Sequence, residues 1–142
     1  MYSWKERYKM SLNTIREVTE KTGITVNALR YYDSKGLLHP TVRNSGGRKE
    51  WLYDEGAVRR AKRIVLLRRI GIPVESIAMV LDKADRMDEK ILRSRLEELR
   101  EERKEIDEQI SAANILLLID DLSADAEVKG DLLDKMFDKT CR

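Results

Sequence analysis

Four side chains at helical spacing raise the question of what this chain touches. Within the stretch "ALRYYDSKGLL" and the residues before it, positions 27, 30, 31 and 34 fall on one side of a helix, which groups Asn27, Arg30, Tyr31 and Ser34. Each carries a hydrogen-bonding tip and none needs burial. Asn pairs bidentately with adenine and Arg with guanine, while Tyr hydroxyls bond phosphates, so the set suits an edge that reads a nucleic acid. An ordinary solvated helix face would carry the same residues. On the other side Val26 and Leu29 are expected to pack inward, with Tyr32 along that edge. Farther on, Arg43, Arg48 and Lys49 surround a glycine turn, where cations on a protruding ribbon could grip phosphates.

Other chemistries find little support. The chain has one histidine, His39, and one cysteine, Cys141. An intrachain disulfide is excluded, and no protein-built zinc site, other metal or cofactor is expected. His39 has no evident Ser or Cys partner, and the acidic pairs Glu97-Glu98 and Glu101-Glu102 lie where a long helix would solvate them. No enzyme is expected. No apolar run approaches the roughly 18 residues of a membrane span, and no signal-peptide apolar region opens the sequence, so the chain reads as cytoplasmic with no membrane partner.

The net charge of +2 conceals an asymmetry. Residues 1–86 hold 18 Lys and Arg against 10 Asp and Glu, and residues 87–142 hold 10 against 16. A basic front half on an acidic rear half suggests a polyanion-binding head joined to a separate module.

The elements that must position those side chains are legible from caps and stops. Residues 1–13 have no clear period and are taken as an N-terminal extension. Thr14 and Glu17 form the pattern of a capping box, opening a helix over about 15–21 that Gly23 ends. Thr25 then caps a second helix, about 26–35, closed by Gly36. Two short helices across a glycine turn make a helix-turn-helix. Next comes a hairpin, with strands at about 41–43 and 48–53 and a turn at 44–47, in which Trp51 and Tyr53 pack the base. Asp54 caps a third helix to Ile70, with Val58, Ala61, Ile64 and Val65 as its apolar stripe. Of its basic residues Arg59, Arg60, Lys62, Arg63, Arg68 and Arg69, some are expected to line solvent and one or two to reach a phosphate backbone. Gly71 stops it, and Pro73 opens a fourth helix to about Leu81.

From Asp88 to Ile119 there is neither glycine nor proline. Leu92, Leu96, Leu99, Ile106, Ile110, Ala113 and Leu117 recur at alternating gaps of four and three, with Arg103 in one seam position. Such a helix would be about 48 Å long, more than a small head can cover, so a second copy of the chain is the expected partner. The organisation expected is therefore a head over 14–86, a coiled-coil dimerisation helix over 87–119, and a short tail or helix over 120–142, the helix centred on Val128–Phe137.

"TIREVTEKTGITVNALRYYDSKGLL", the glycine turn before "LYDEGAV", and "RIVLLRRIGIPVESIAMVL" together resemble the winged helix-turn-helix head of the MerR family over roughly residues 13–82. The resemblance implies a mainly α fold, a homodimer joined through an antiparallel coiled coil, and two heads in successive major grooves of promoter DNA. It also implies that the spacer between polymerase recognition elements is overlong and is distorted by the protein, with RNA polymerase as a further partner. By position it places Thr25, Asn27, Ala28, Arg30, Tyr31 and Tyr32 at DNA, with Arg43 and one of Arg48 or Lys49 in the wing. The wing departs from the common pattern by about two extra residues. The cysteines that family metal and redox sensors use are missing here, and the stretch after Ile119 is too short for a large drug-binding domain. Two other functions stay open: an accessory DNA-binding factor in recombination, and a coiled-coil adaptor whose head binds an acidic protein surface.

Overall fold

A computed structural model of the chain describes residues 12–122 and 125–141. The expected N-terminal extension lies mostly outside the described residues; its last member, Asn13, belongs to the head. Asn13–Thr14 form strand β1, followed by helices α1 (Ile15–Thr22) and α2 (Val26–Ser34), strands β2 (Thr41–Ser45) and β3 (Arg48–Tyr53), and helices α3 (Glu55–Arg69) and α4 (Val74–Val80). Helix α5 (Glu89–Leu122) and helix α6 (Ala126–Cys141) complete the order. The chain divides into two compact units between Leu92 and Arg93.

Local chemistry sets the boundaries in the first unit. The Thr14 hydroxyl accepts from the Glu17 amide at 3.2 Å, and the Glu17 carboxylate accepts from the Thr14 amide, completing the capping box. Gly23 ends α1 in the left-handed conformation at φ 74°, which costs glycine little. Thr25 and Asp54 cap α2 and α3, accepting from Ala28 and Ala57. Pro73 stands at the cap of α4, one residue before the helix rather than within its first turn.

The sheet is antiparallel with β3 central, in the order β1-β3-β2. The hairpin turn is tighter than the sequence suggests. β2 runs on to Ser45, and only Gly46 and Gly47 turn, at φ 57° and 80°. Two consecutive positive φ values make the two-residue turn whose twist matches that of the flanking strands. The β1 strand was not expected. It pairs Asn13 with Tyr53 and Thr14 with Leu52, and the Asn13 side-chain amide donates to the Tyr53 carbonyl. Lys21 of α1 donates to the side-chain oxygen Oδ1 of Asn13, so the start of the head is bracketed from two sides.

Leu29 and Tyr32 of α2 pack with Val18 of α1, Tyr53 of β3, Val58, Ala61, Ile64 and Leu67 of α3, and Ile77 and Val80 of α4. Burying a side chain of this size stabilises the fold by about 1.5–3 kcal/mol. Two inward assignments change. Val26 is exposed, and Ile24, just before the helix, fills the core instead. On α3 the deepest stripe runs through Leu67, with Val65 half-buried at its edge.

In the second unit, α5 continues and α6 follows. Asp88 caps α5, its carboxylate accepting from the Lys90 and Ile91 amides. Lys129 of α6 donates to Asp120 of α5 at 3.1 Å, and Thr140 lines a groove with Arg100, Lys104 and Ser111, so α6 runs back along α5. Gly130 is accommodated within α6. Among the described residues beyond Leu92, Ile119 alone is buried, while Ile106, Ile110, Leu116, Leu117, Leu133 and Phe137 are exposed.

Candidate nucleic-acid interface

Helix α2 presents two faces that burial separates cleanly. Asn27, Arg30, Tyr31 and Ser34 are all exposed, whereas Leu29 is fully buried and Tyr32 is 8% exposed. The Tyr31 and Tyr32 ring centroids lie 6.3 Å apart, and the Lys35 ammonium stands 5.5 Å from the Tyr31 ring. That cation sits where it can attract an anion as well as the ring face. Thr25 is exposed with its hydroxyl oxygen engaged as the cap, which leaves its proton directed by whatever acceptor lies outside. Ala28 is half-buried and packs against the core, so its methyl is shared between interior and rim.

In the wing, all five β2 residues are exposed. Its register sorts the cations. Arg43 pairs with Glu50 and Ser45 with Arg48, while Asn44 pairs with Lys49 and Val42 with Trp51. Because side chains alternate along a strand and partners share a face, Arg43 and Arg48 lie on one face of the ribbon and Lys49 on the other. Arg43 is not idle there, since its guanidinium donates to Glu50 at 2.8 Å. Trp51 packs half-buried against the core, and Tyr53 is wholly buried.

Tyr53 is the most perturbed group in the head. Its phenol is pushed up to about 12, chiefly by burial and then by the negative charge of Asp33. Its hydroxyl has no hydrogen-bond partner among the described residues. Asp33 itself contacts the His39 ring nitrogen Nδ1 at 2.7 Å, tying the end of α2 to the segment that leads into β2.

The basic residues of α3 divide between solvent and the chain itself. Arg59 and Lys62 are exposed, but Arg60 turns inward and donates to the Leu37 and Asp82 carbonyls. Arg68 donates to the Ile72 carbonyl at 3.0 Å. A basic helix reads alike in sequence whether its arginines face solvent or chain carbonyls. Among the expected seam residues, Leu92 is half-buried against the head core, whereas Leu96, Ile106, Ile110, Ala113 and Leu117 are exposed and Leu99 is half-buried. No group of three His, Cys, Asp or Glu placed to hold a metal occurs among the described residues. No helix among them is long and apolar enough to cross a membrane.

The profile of the MerR HTH family of regulatory proteins matches residues 13–84, from β1 through the turn after α4. The chain belongs to the MerR family. The match begins at Asn13, the residue that the sheet draws into the head. Among similar proteins, the nodulation protein NolA of Bradyrhizobium elkanii is 33% identical over 85 residues, covering 60% of this chain and 37% of that protein. The HTH-type transcriptional activator mta of Bacillus subtilis is 27% identical over 104 residues, 73% of this chain and 40% of mta. The activator TipA of Streptomyces coelicolor is 32% identical over 69 residues, 49% of this chain and 26% of TipA. This chain thus spans about two-fifths or less of the curated relatives it matches. MerR-type proteins of this kind are regulators rather than enzymes.

Proposed function

We propose that the chain is a sequence-specific transcriptional regulator that binds promoter DNA as a homodimer. One observation carries the reading. On a MerR head, the exposed face of α2, with Asn27, Arg30 and Tyr31, stands with an exposed wing bearing Arg43 and Arg48. The start of α2, at Thr25, Asn27 and Ala28, would enter the major groove, with Arg30 at a base edge and Tyr31 at phosphate. Tyr32 would add its hydroxyl from a buried ring. In the wing, Arg48 shares the face of Arg43 and is the better candidate for the phosphate contact than Lys49.

Dimerisation would use the α5 seam from Leu96 through Leu99, Ile106, Ile110 and Ala113 to Leu117, packed antiparallel against a second copy. Leu92 contributes to the head instead. Two heads so joined would span successive major grooves of a promoter in the cytoplasm. They would bend and untwist an overlong spacer so that RNA polymerase engages both of its elements, at a cost of a few kcal/mol offset by contacts at both half-sites. The names of mta and TipA, both transcriptional activators, favour activation. An apolar seam this long favours the regulator over a small recombination accessory factor.

Binding of the full chain to a duplex it selects from a random pool, titrated across salt, tests the reading. Affinity should fall steeply with salt and discriminate sequence. Arg30→Ala should weaken specific binding by about 1–3 kcal/mol and relax preference at one base position. Equal affinity for selected and scrambled duplexes would sink the regulator and favour an adaptor that binds an acidic protein surface.

A further inference from the structure

We propose that Arg60 and Asp85 form a tie that sets the joint between the DNA-reading head and the start of the long helix, and so determines which half-site separations the dimer accepts. The inference rests on the dimeric DNA-binding reading above, but its evidence lies elsewhere in the molecule.

Arg60 lies on α3, away from the exposed face of α2, and its side chain is only 14% exposed. One guanidinium serves three acceptors in two parts of the chain. Its Nε donates to the carbonyl of Leu37, just past the end of α2. Its Nη1 donates to the carbonyl of Asp82 at 2.7 Å and to the Asp85 carboxylate at 2.8 Å, both in the turn before α5. Leu37 in turn donates its amide to the Tyr32 carbonyl at 2.9 Å, so the anchored carbonyl belongs to the residue that closes the reading helix. A planar, always-charged fork suits this arrangement, because it can hold several acceptors in fixed directions at once.

The turn on the other side is built to be held. Residues Leu81 and Met87 bridge across it, and the Asp88 amide donates to the Val80 carbonyl at 2.7 Å. Asp82 accepts from the amides of Ala84 and Arg86 and from the Arg86 side chain. Those donors, the Arg86 amide foremost, hold its carboxyl below the usual carboxylate range. Asp85 sits at its apex with φ 61°, the one non-glycine residue in the left-handed region among those described. A non-glycine residue stays there when its neighbours over-determine it. Arg60, with Arg63 at 4.0 Å from the second carboxylate oxygen, supplies that constraint. Immediately after the turn, Ile91 and Leu92 pack on the head core, so the first turn of α5 is set by the same joint.

Two heads on one duplex reinforce each other only when both half-sites can be reached together. A joint held by a largely sequestered cation restricts that reach. Releasing it should leave each reading surface intact while relaxing the spacing requirement. Asp85→Gly removes the carboxylate and relieves the left-handed backbone, which favours retention of the fold. Asp85→Asn keeps an oxygen able to accept from Arg60 and tolerates the same conformation. Arg60 and Asp85 are therefore positioning residues, not contacts to DNA.

The test uses the full chain and the palindromic duplex that the wild-type chain selects, with two base pairs inserted at its centre. The wild-type chain should lose about 100-fold in affinity on the altered duplex, as bivalent reinforcement disappears. Asp85→Gly should shrink that penalty to about tenfold or less while its affinity for a single half-site is unchanged; Asp85→Asn should restore the wild-type penalty. Hydrogen exchange should be faster over residues 82–92 of Asp85→Gly and unchanged over α1 and α2. A wild-type spacing penalty in Asp85→Gly, or unchanged protection over 82–92, overturns the tie. A wild-type chain that selects no sequence overturns the DNA reading instead, and hydrogen exchange then still decides whether Asp85 holds the joint.

Discussion

The two units of this chain solve the burial of apolar side chains in opposite ways. The head closes on itself, with Val18, Leu29, Tyr53, Ala61, Ile64 and Ile77 wholly buried against one another. Beyond Leu92 the apolar residues of α5 and α6 lie mostly at the surface, and Ile119 alone is buried among those described. The head therefore has the ingredients of an independent fold, whereas the second unit presents a surface that gains from being covered. Charge follows the same division, basic in front and acidic behind. Under the proposed function, a module that approaches a polyanion and one that approaches its own copy would need different surfaces.

Cutting between the two units should break this contrast most visibly. A chain ending at Leu92 keeps Ile91 and Leu92 on the head core and should melt cooperatively, yet sediment as a monomer. Its affinity for the selected palindrome should fall by about 100-fold or more through loss of bivalent binding. Persistent dimers after this cut would move the interface into the head. A smaller effect should separate the two faces of the wing. Arg48→Ala should weaken binding to every sequence alike and reduce the magnitude of the salt slope by about one, while Lys49→Ala should leave the slope nearly unchanged. The reverse order would place Lys49 at the phosphate.

The smallest effect lies inside the head. The folded Tyr53 phenol titrates near 12 against an ordinary 10, so folding favours the neutral form. Stability should hold below pH 10 and decline as pH rises from about 10 to 12, where the unfolded chain ionises and the folded one does not. Tyr53→Phe should make that decline shallower in thermal melts read across the window. At neutral pH it should cost little, because the lost hydroxyl has no partner among the described residues. An equally steep decline in the variant would assign it to other groups.

Sequence made some of these features plain and hid others, for reasons that separate by range. The Thr14–Glu17 capping box, the caps at Thr25 and Asp54, and the stop at Gly23 are local chemistry, written within four residues of where they act. The outward face of α2 is likewise a matter of period. Strand β1 has two residues and no period, and it exists because β3 offers an edge forty residues away. Ile24 rather than Val26 fills the core, a choice that depends on which neighbours the packed head brings to each. Arg60 could not be told from Arg59, since their difference is made by carbonyls at Leu37 and Asp82. The positions of Asn27, Arg30 and Tyr31 were thus readable, and the support that aims them was not.

The ion pair between Arg43 and Glu50 has a consequence for how this wing responds to salt. Most surface cations meet a phosphate by shedding mobile ions into solution. Arg43 would first have to let go of a carboxylate fixed on the facing strand, and that carboxylate would then need a cation of its own from the buffer. One ion enters as another leaves. A salt titration would therefore register fewer displaced ions than the wing has arginines, and Glu50→Gln should steepen the slope while tightening the grip at low salt.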